Sequence, residues 1–75
     1  MQCMPRWHSD TRYYTATVEQ DLLGDWTVRT AYGGLRNRLG NCRTQVVADQ
    51  AAGEQLIASI HKTRVRHGYH LVAEV

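Results

Sequence analysis

Phenylalanine is absent from the chain, proline occurs once, and cysteine twice. Two cysteines, Cys3 and Cys42, cannot build a disulfide framework, and neither sits in a CxxC or Cys/His spacing of the kind that holds zinc. No apolar run approaches the roughly 20 residues of a membrane span. The opening Met1-Gln2-Cys3-Met4-Pro5-Arg6-Trp7-His8 lacks the apolar stretch of a secretory signal, so a cytoplasmic protein with reduced thiols is expected. With 43% hydrophobic and 21% charged residues, the composition is that of a globular domain rather than a disordered tail or a fibrous repeat. Seventy-five residues allow one small domain. Such a chain buries only about 60% of the surface its unfolded form exposes, which suits one sheet packed on one helix.

Acidic residues are also missing where basic ones gather. Between Trp26 and Ala48 there is no Asp or Glu, while Arg29, Arg36, Arg38 and Arg43 all fall there. A second basic cluster runs through His61, Lys62, Arg64, Arg66, His67 and His70. The acids Asp10, Glu19, Asp21, Asp25, Asp49, Glu54 and Glu74 lie elsewhere. The net charge is only +2, but its segregation implies a positive side that attracts anions. His61, His67 and His70 fall at and beyond a helix end, where positive charge is favourable, and a structural role outweighs metal binding there.

Residues 1–10 show no usable period and read as a flexible lead-in; residues 11–75 read as the domain. Tyr14, Ala16 and Val18 alternate with Tyr13, Thr15, Thr17 and Glu19, which predicts a half-buried strand. Asp21-Leu22-Leu23-Gly24-Asp25 predicts a turn, with Gly24 able to take positive φ. Trp26, Val28 and Thr30 alternate against Thr27, Arg29 and Ala31 as a second strand of the same hairpin. Gly33-Gly34 marks a tight bend or a close backbone approach, and Gly40-Asn41 a tight turn. Cys42 to Ala48 reads as a third strand, with Cys42, Thr44 and Val46 on one face. Asp49 is a good N-cap for a helix from Gln50 to His67, whose inner face carries Ala52, Leu56, Ile57 and Ile60 and the stem of Arg64. Gly68 stands where a C′ glycine belongs, and Tyr69 to Val75 alternates as a final strand. The fold class is therefore α+β: a small antiparallel sheet of about four strands with one helix packed on one face, in the order β-β-β-α-β. Tyr14, Val18, Val28 and Val46 are expected to meet the helix.

Catalysis by this chain alone is not expected. Asp21 and Asp25 flank an exposed turn, and a Cys42–His61 or Cys42–His70 dyad has no local support. Gly33-Gly34 followed by Gly40 has the wrong spacing for a nucleotide-phosphate loop. No cofactor is indicated. Anion binding fits better. Arginines on a glycine-rich connection can fork onto phosphates, glycines expose backbone N–H groups, and Tyr32 offers a flat ring for stacking.

The order of these signals resembles the WGR domain family, named for a Trp-Gly-Arg triplet. That family occurs in nuclear poly(ADP-ribose) polymerases, in bacterial MolR-type regulators and as short free-standing bacterial proteins. The resemblance runs from about Arg12 to Leu71. Tyr13-Tyr14 opens the first strand, and Asp21-Leu22-Leu23-Gly24-Asp25-Trp26-Thr27-Val28 resembles the family's hairpin. Tyr32-Gly33-Gly34 stands at the triplet. Arg36-Asn37-Arg38-Leu39-Gly40-Asn41 resembles the basic loop after it, Arg43-Thr44 precedes the next strand, and Gly68-Tyr69 closes the helix. The resemblance implies an antiparallel sheet with a helix, and DNA binding at ends or breaks. Tyr32 would then stack and Gly33 act as spacer. Gly34 replaces the triplet's Arg, with Arg36 or Arg38 as a substitute from the loop.

Two expectations about function follow. The first is a non-enzymatic module that binds nucleic acid through Tyr32, Gly33, Arg29, Arg36, Arg38 and Arg43. The alternative is a protein-interaction or self-association module without nucleic-acid affinity, for which an exposed sheet edge and Trp7 in a loose terminus would serve.

Overall fold

In the computed structural model, which describes residues 5–36 and 40–74, the strand nearest the beginning of the chain holds the largest core side chain. Residues Pro5–His8 form strand β1, followed by β2 (Arg12–Gln20), β3 (Trp26–Gly34), β4 (Gly40–Val47), helix α1 (Gln50–Arg66) and β5 (His70–Glu74). The five strands make one sheet in the order β4-β3-β2-β1-β5, with every neighbouring pair antiparallel. The α+β class with a single helix stands. The expected four strands become five, and residues 5–8 are a sheet strand rather than part of a flexible lead-in.

β1 escapes a periodicity reading because four residues carry too few alternations. Pro5 also reads as a breaker, yet it occupies the first position of the strand, where a missing N–H is tolerated. Trp7 is 1% exposed, so it is core and not a free anchor for a partner. Its indole Nε1–H donates to His61 Nδ1 at 2.9 Å, which satisfies the polar end of a buried ring. Trp7 also meets Tyr14 edge-on, with ring centroids 6.0 Å apart.

The β2–β3 hairpin forms as its alternation predicts. Tyr14 pairs with Tyr32, Ala16 with Thr30 and Val18 with Val28. Directly opposed residues share a face, so these six point to one side. In the turn between the strands, the Asp21 carboxylate accepts from the backbone N–H groups of Leu23 and Asp25, both at 2.9 Å, and Gly24 takes φ 88°. Leu22 and Leu23 project from this turn almost fully exposed.

Helix α1 lies across that same side. Asp49 caps it, accepting from the Ala52 N–H at 2.8 Å. Gly53 is the buried residue of the helix and packs directly on the sheet. A Cβ on Gly53 would lie 2.9 and 3.0 Å from the two methyls of Val18. Leu56, Ile57 and Ile60 are half-buried, in keeping with the expected apolar stripe.

Strand β4 corrects one expectation about the core. Its register pairs Tyr32 with Asn41, Thr30 with Arg43, Val28 with Gln45 and Trp26 with Val47. The helix side of β4 is thus Asn41, Arg43, Gln45 and Val47. Val46 faces away from the helix and is 65% exposed, contrary to its expected place in the core. Two adjacent valines leave the phase of the strand undetermined by hydrophobicity, and a one-residue shift exchanges the two faces.

Candidate functional site

The N-terminal part of β2, the end of β3 and the beginning of β4 meet the C-terminal turn of α1 at one end of the molecule. How that helix ends shapes the site. The Gly68 N–H donates to the Val65 carbonyl at 3.1 Å and the Tyr69 N–H to the Arg64 carbonyl at 2.9 Å, with Gly68 at φ 86°. This paired closure is the Schellman arrangement, in which the residue after the glycine folds back against the helix's last turn. Here it sets Tyr69 beside Arg64.

The Arg64 guanidinium lies 4.6 Å from the Tyr14 ring centroid and 5.2 Å from that of Tyr69. Both are cation–π distances. Its Nε is buried and has no hydrogen-bond partner among the described residues. Tyr14 in turn stacks on Tyr32 across the hairpin, with centroids 5.7 Å apart and ring planes 11° from parallel. Tyr14 therefore joins a guanidinium to a second aromatic ring, and Tyr32 remains 37% exposed at the outer end of the group.

These side chains border a cleft of about 720 Å³. Arg12, Arg43 and Arg64 line it with Tyr14, Tyr32 and Tyr69; Thr11, Asn41, Gly33 and Gly34 complete it. No carboxylate is among the lining residues that are described. Gly33 and Gly34 are the last two residues of β3, paired with Tyr13 and Arg12. Neither has positive φ, so they are extended strand rather than a tight bend, and they put no side chain into the cleft. Gly40 and Asn41 likewise open β4 instead of forming a turn.

The expected site residues divide. Tyr32, Gly33 and Arg43 come together in the cleft. Arg29 does not. It stands on the opposite face of β3, with its Nε 3.8 Å from Glu19 Oε1 in an exposed pair. Arg36 is exposed in the bend after β3 and does not line the cleft. Arg38 lies outside the described residues. Arg12, Arg64, Tyr14 and Tyr69 were not singled out as site residues. Strand parity would have found the first and third, because Arg12 and Tyr14 share a face with Tyr32, the partner of Tyr14. The Gly68-Tyr69 helix ending would have found the other two.

Neither cysteine–histidine dyad forms. Cys42 is exposed and faces away from the helix, in the edge strand β4. His61 is on α1 bonded to Trp7, and His70 is in β5 at the opposite edge of the sheet. Among the described residues no group of three His, Cys, Asp or Glu gathers to hold a metal, and no helix is long and apolar enough to cross a membrane.

A concave surface with three guanidinium groups and three phenol rings can hold an anion and stack a planar group at once. Comparison with protein-family models, curated proteins and solved structures returns no match to this chain.

Proposed function

We propose that this protein is a non-enzymatic module that binds nucleic acid through the cleft, with Arg12, Arg43 and Arg64 on phosphates and Tyr32 stacking on a base or sugar. The observation that carries the reading is the convergence of those arginines with Tyr14, Tyr32 and Tyr69 on a surface with no carboxylate among its described lining residues. Phosphate oxygens accept paired N–H bonds from guanidinium, and aromatic rings stack on bases of any sequence. The similarity of Tyr32-Gly33-Gly34 and its flanks to the WGR triplet region supports DNA as the ligand and the cytoplasm of a bacterium as the setting.

Fluorescence anisotropy of labelled oligonucleotides at two salt concentrations tests the reading. Three arginine–phosphate contacts correspond to a log–log salt slope of about −2 on single strands. Arg43→Ala should weaken binding to all sequences and reduce the slope by about 1, while Arg29→Ala, on the other face, should leave it unchanged. Absence of binding at low salt removes the reading.

A second reading, a protein-interaction or self-assembly module, draws on different observations. Leu22 and Leu23 are exposed on a hydrogen-bonded turn, and β4 is an exposed edge strand. A stable oligomer without affinity for oligonucleotides would favour it.

A further inference from the structure

A smaller cavity of about 200 Å³ adjoins the cleft and shares Tyr14 and Arg43 with it. It lies between α1 and the helix side of β3 and β4. Leu56 and Ile60 come from the helix, Val28 and Thr30 from β3, and Gln45 from β4. This is not the composition of an ordinary core gap. Positions 43 and 45 sit on the face a helix should cover, yet they carry a guanidinium and an amide. Those groups stand among apolar side chains and remain exposed. A slot with apolar side chains on the helix side and donors and acceptors on the strand side can take a small ligand that has both kinds of surface.

We propose that this slot receives a single unpaired base of a nucleic-acid strand whose phosphates lie on the arginines of the cleft. The inference rests on the nucleic-acid reading above and adds to it a strandedness and a base preference. Leu56 and Ile60, both half-buried on α1, supply apolar contact for a face of the base. Gln45 presents one amide oxygen as acceptor and one NH₂ as donor, and Arg43 presents donors only. Together they can address the Watson–Crick edge of a base, which is free only when the base is unpaired. A base within a duplex is stacked and paired, and must be extruded at a cost before it can enter. Arg43, common to both cavities, would hold the phosphate and the base in one register.

Short homo-oligomers of the four bases, as deoxy and ribo strands, titrated against the wild type, Gln45→Ala and Tyr32→Ala, test the slot. Gln45 is exposed on an edge strand, so its truncation leaves the fold intact. The wild type should separate its best and worst homo-oligomer by roughly tenfold, the scale of one bidentate base contact. It should also bind a matched duplex more weakly than either single strand. Gln45→Ala should narrow the separation severalfold while keeping the salt slope. Tyr32→Ala should weaken all four strands alike and keep the separation. Equal binding of the four homo-oligomers, or a separation that survives Gln45→Ala, overturns the slot and leaves phosphate binding in the cleft standing. No binding of any strand at low salt overturns both.

Discussion

Gly53 shows how one missing side chain sets a distance. Glycine within a helix costs about 1 kcal/mol relative to alanine, so on propensity Gly53→Ala should stabilise. The packing points the other way, because the added methyl would press on Val18 at 2.9 Å and on Val28 at 3.4 Å. Overpacking of this kind costs about 1–3 kcal/mol, and the expected net effect in urea unfolding is a loss of stability. Pairing it with Val18→Ala should recover part of the loss; a Gly53→Ala protein more stable than the parent would show that the helix simply lifts. At this same scale the arginines were only partly legible. Arg29 and Tyr32 are three apart in one strand, an odd number, so their side chains take opposite faces. That conclusion needs the strand to run unbroken through Tyr32, and Gly33-Gly34 disguised the continuity. Arg64 was readable as a stem packing inward, but nothing local says that its guanidinium finds rings from β2 and from beyond the helix.

The elements were legible in proportion to their length. β2 and β3 carry nine residues each with clear alternation, and α1 carries both an Asp49 cap and a Gly68 stop. Short β1 carries neither, and its place in the sheet is decided by burial of Trp7 against Tyr14 and His61. Two variants separate the contributions of that residue. Trp7→Ala should cost about 3–5 kcal/mol as a large side chain leaves the core. Trp7→Phe keeps most of the ring and loses the bond to His61, which then lacks its donor, and should cost about 1–3 kcal/mol. Equilibrium unfolding by urea measures both. A Trp7→Ala protein as stable as the parent would mean that β1 is dispensable to the sheet. The phase of β4 shows the complementary failure: its length is ample at eight residues, but Val46-Val47 is apolar on both faces.

At the scale of the whole molecule, the cleft exists because segments distant in the chain end at one place. Residues 11, 12, 14, 32–34, 41, 43, 64 and 69 contribute to it, and none of these groups is a motif by itself. The sheet order has a further mechanical meaning. β1 lies between β2 and β5, and Pro5 stands opposite Glu74. Positions 5 and 74 are therefore side by side, close enough for a short glycine–serine bridge to close the backbone into a ring. Opening that ring between Leu22 and Leu23, whose side chains contact almost nothing, would yield a circular permutant that places β3 first and β2 last. Its far-ultraviolet dichroism and oligonucleotide affinity should match those of the parent. Because the cut turns the β2–β3 hairpin, the longest pairing of the sheet, into one between the two ends of the permuted chain, while only the shorter β1–β5 pairing becomes local, it should refold more slowly in stopped-flow experiments.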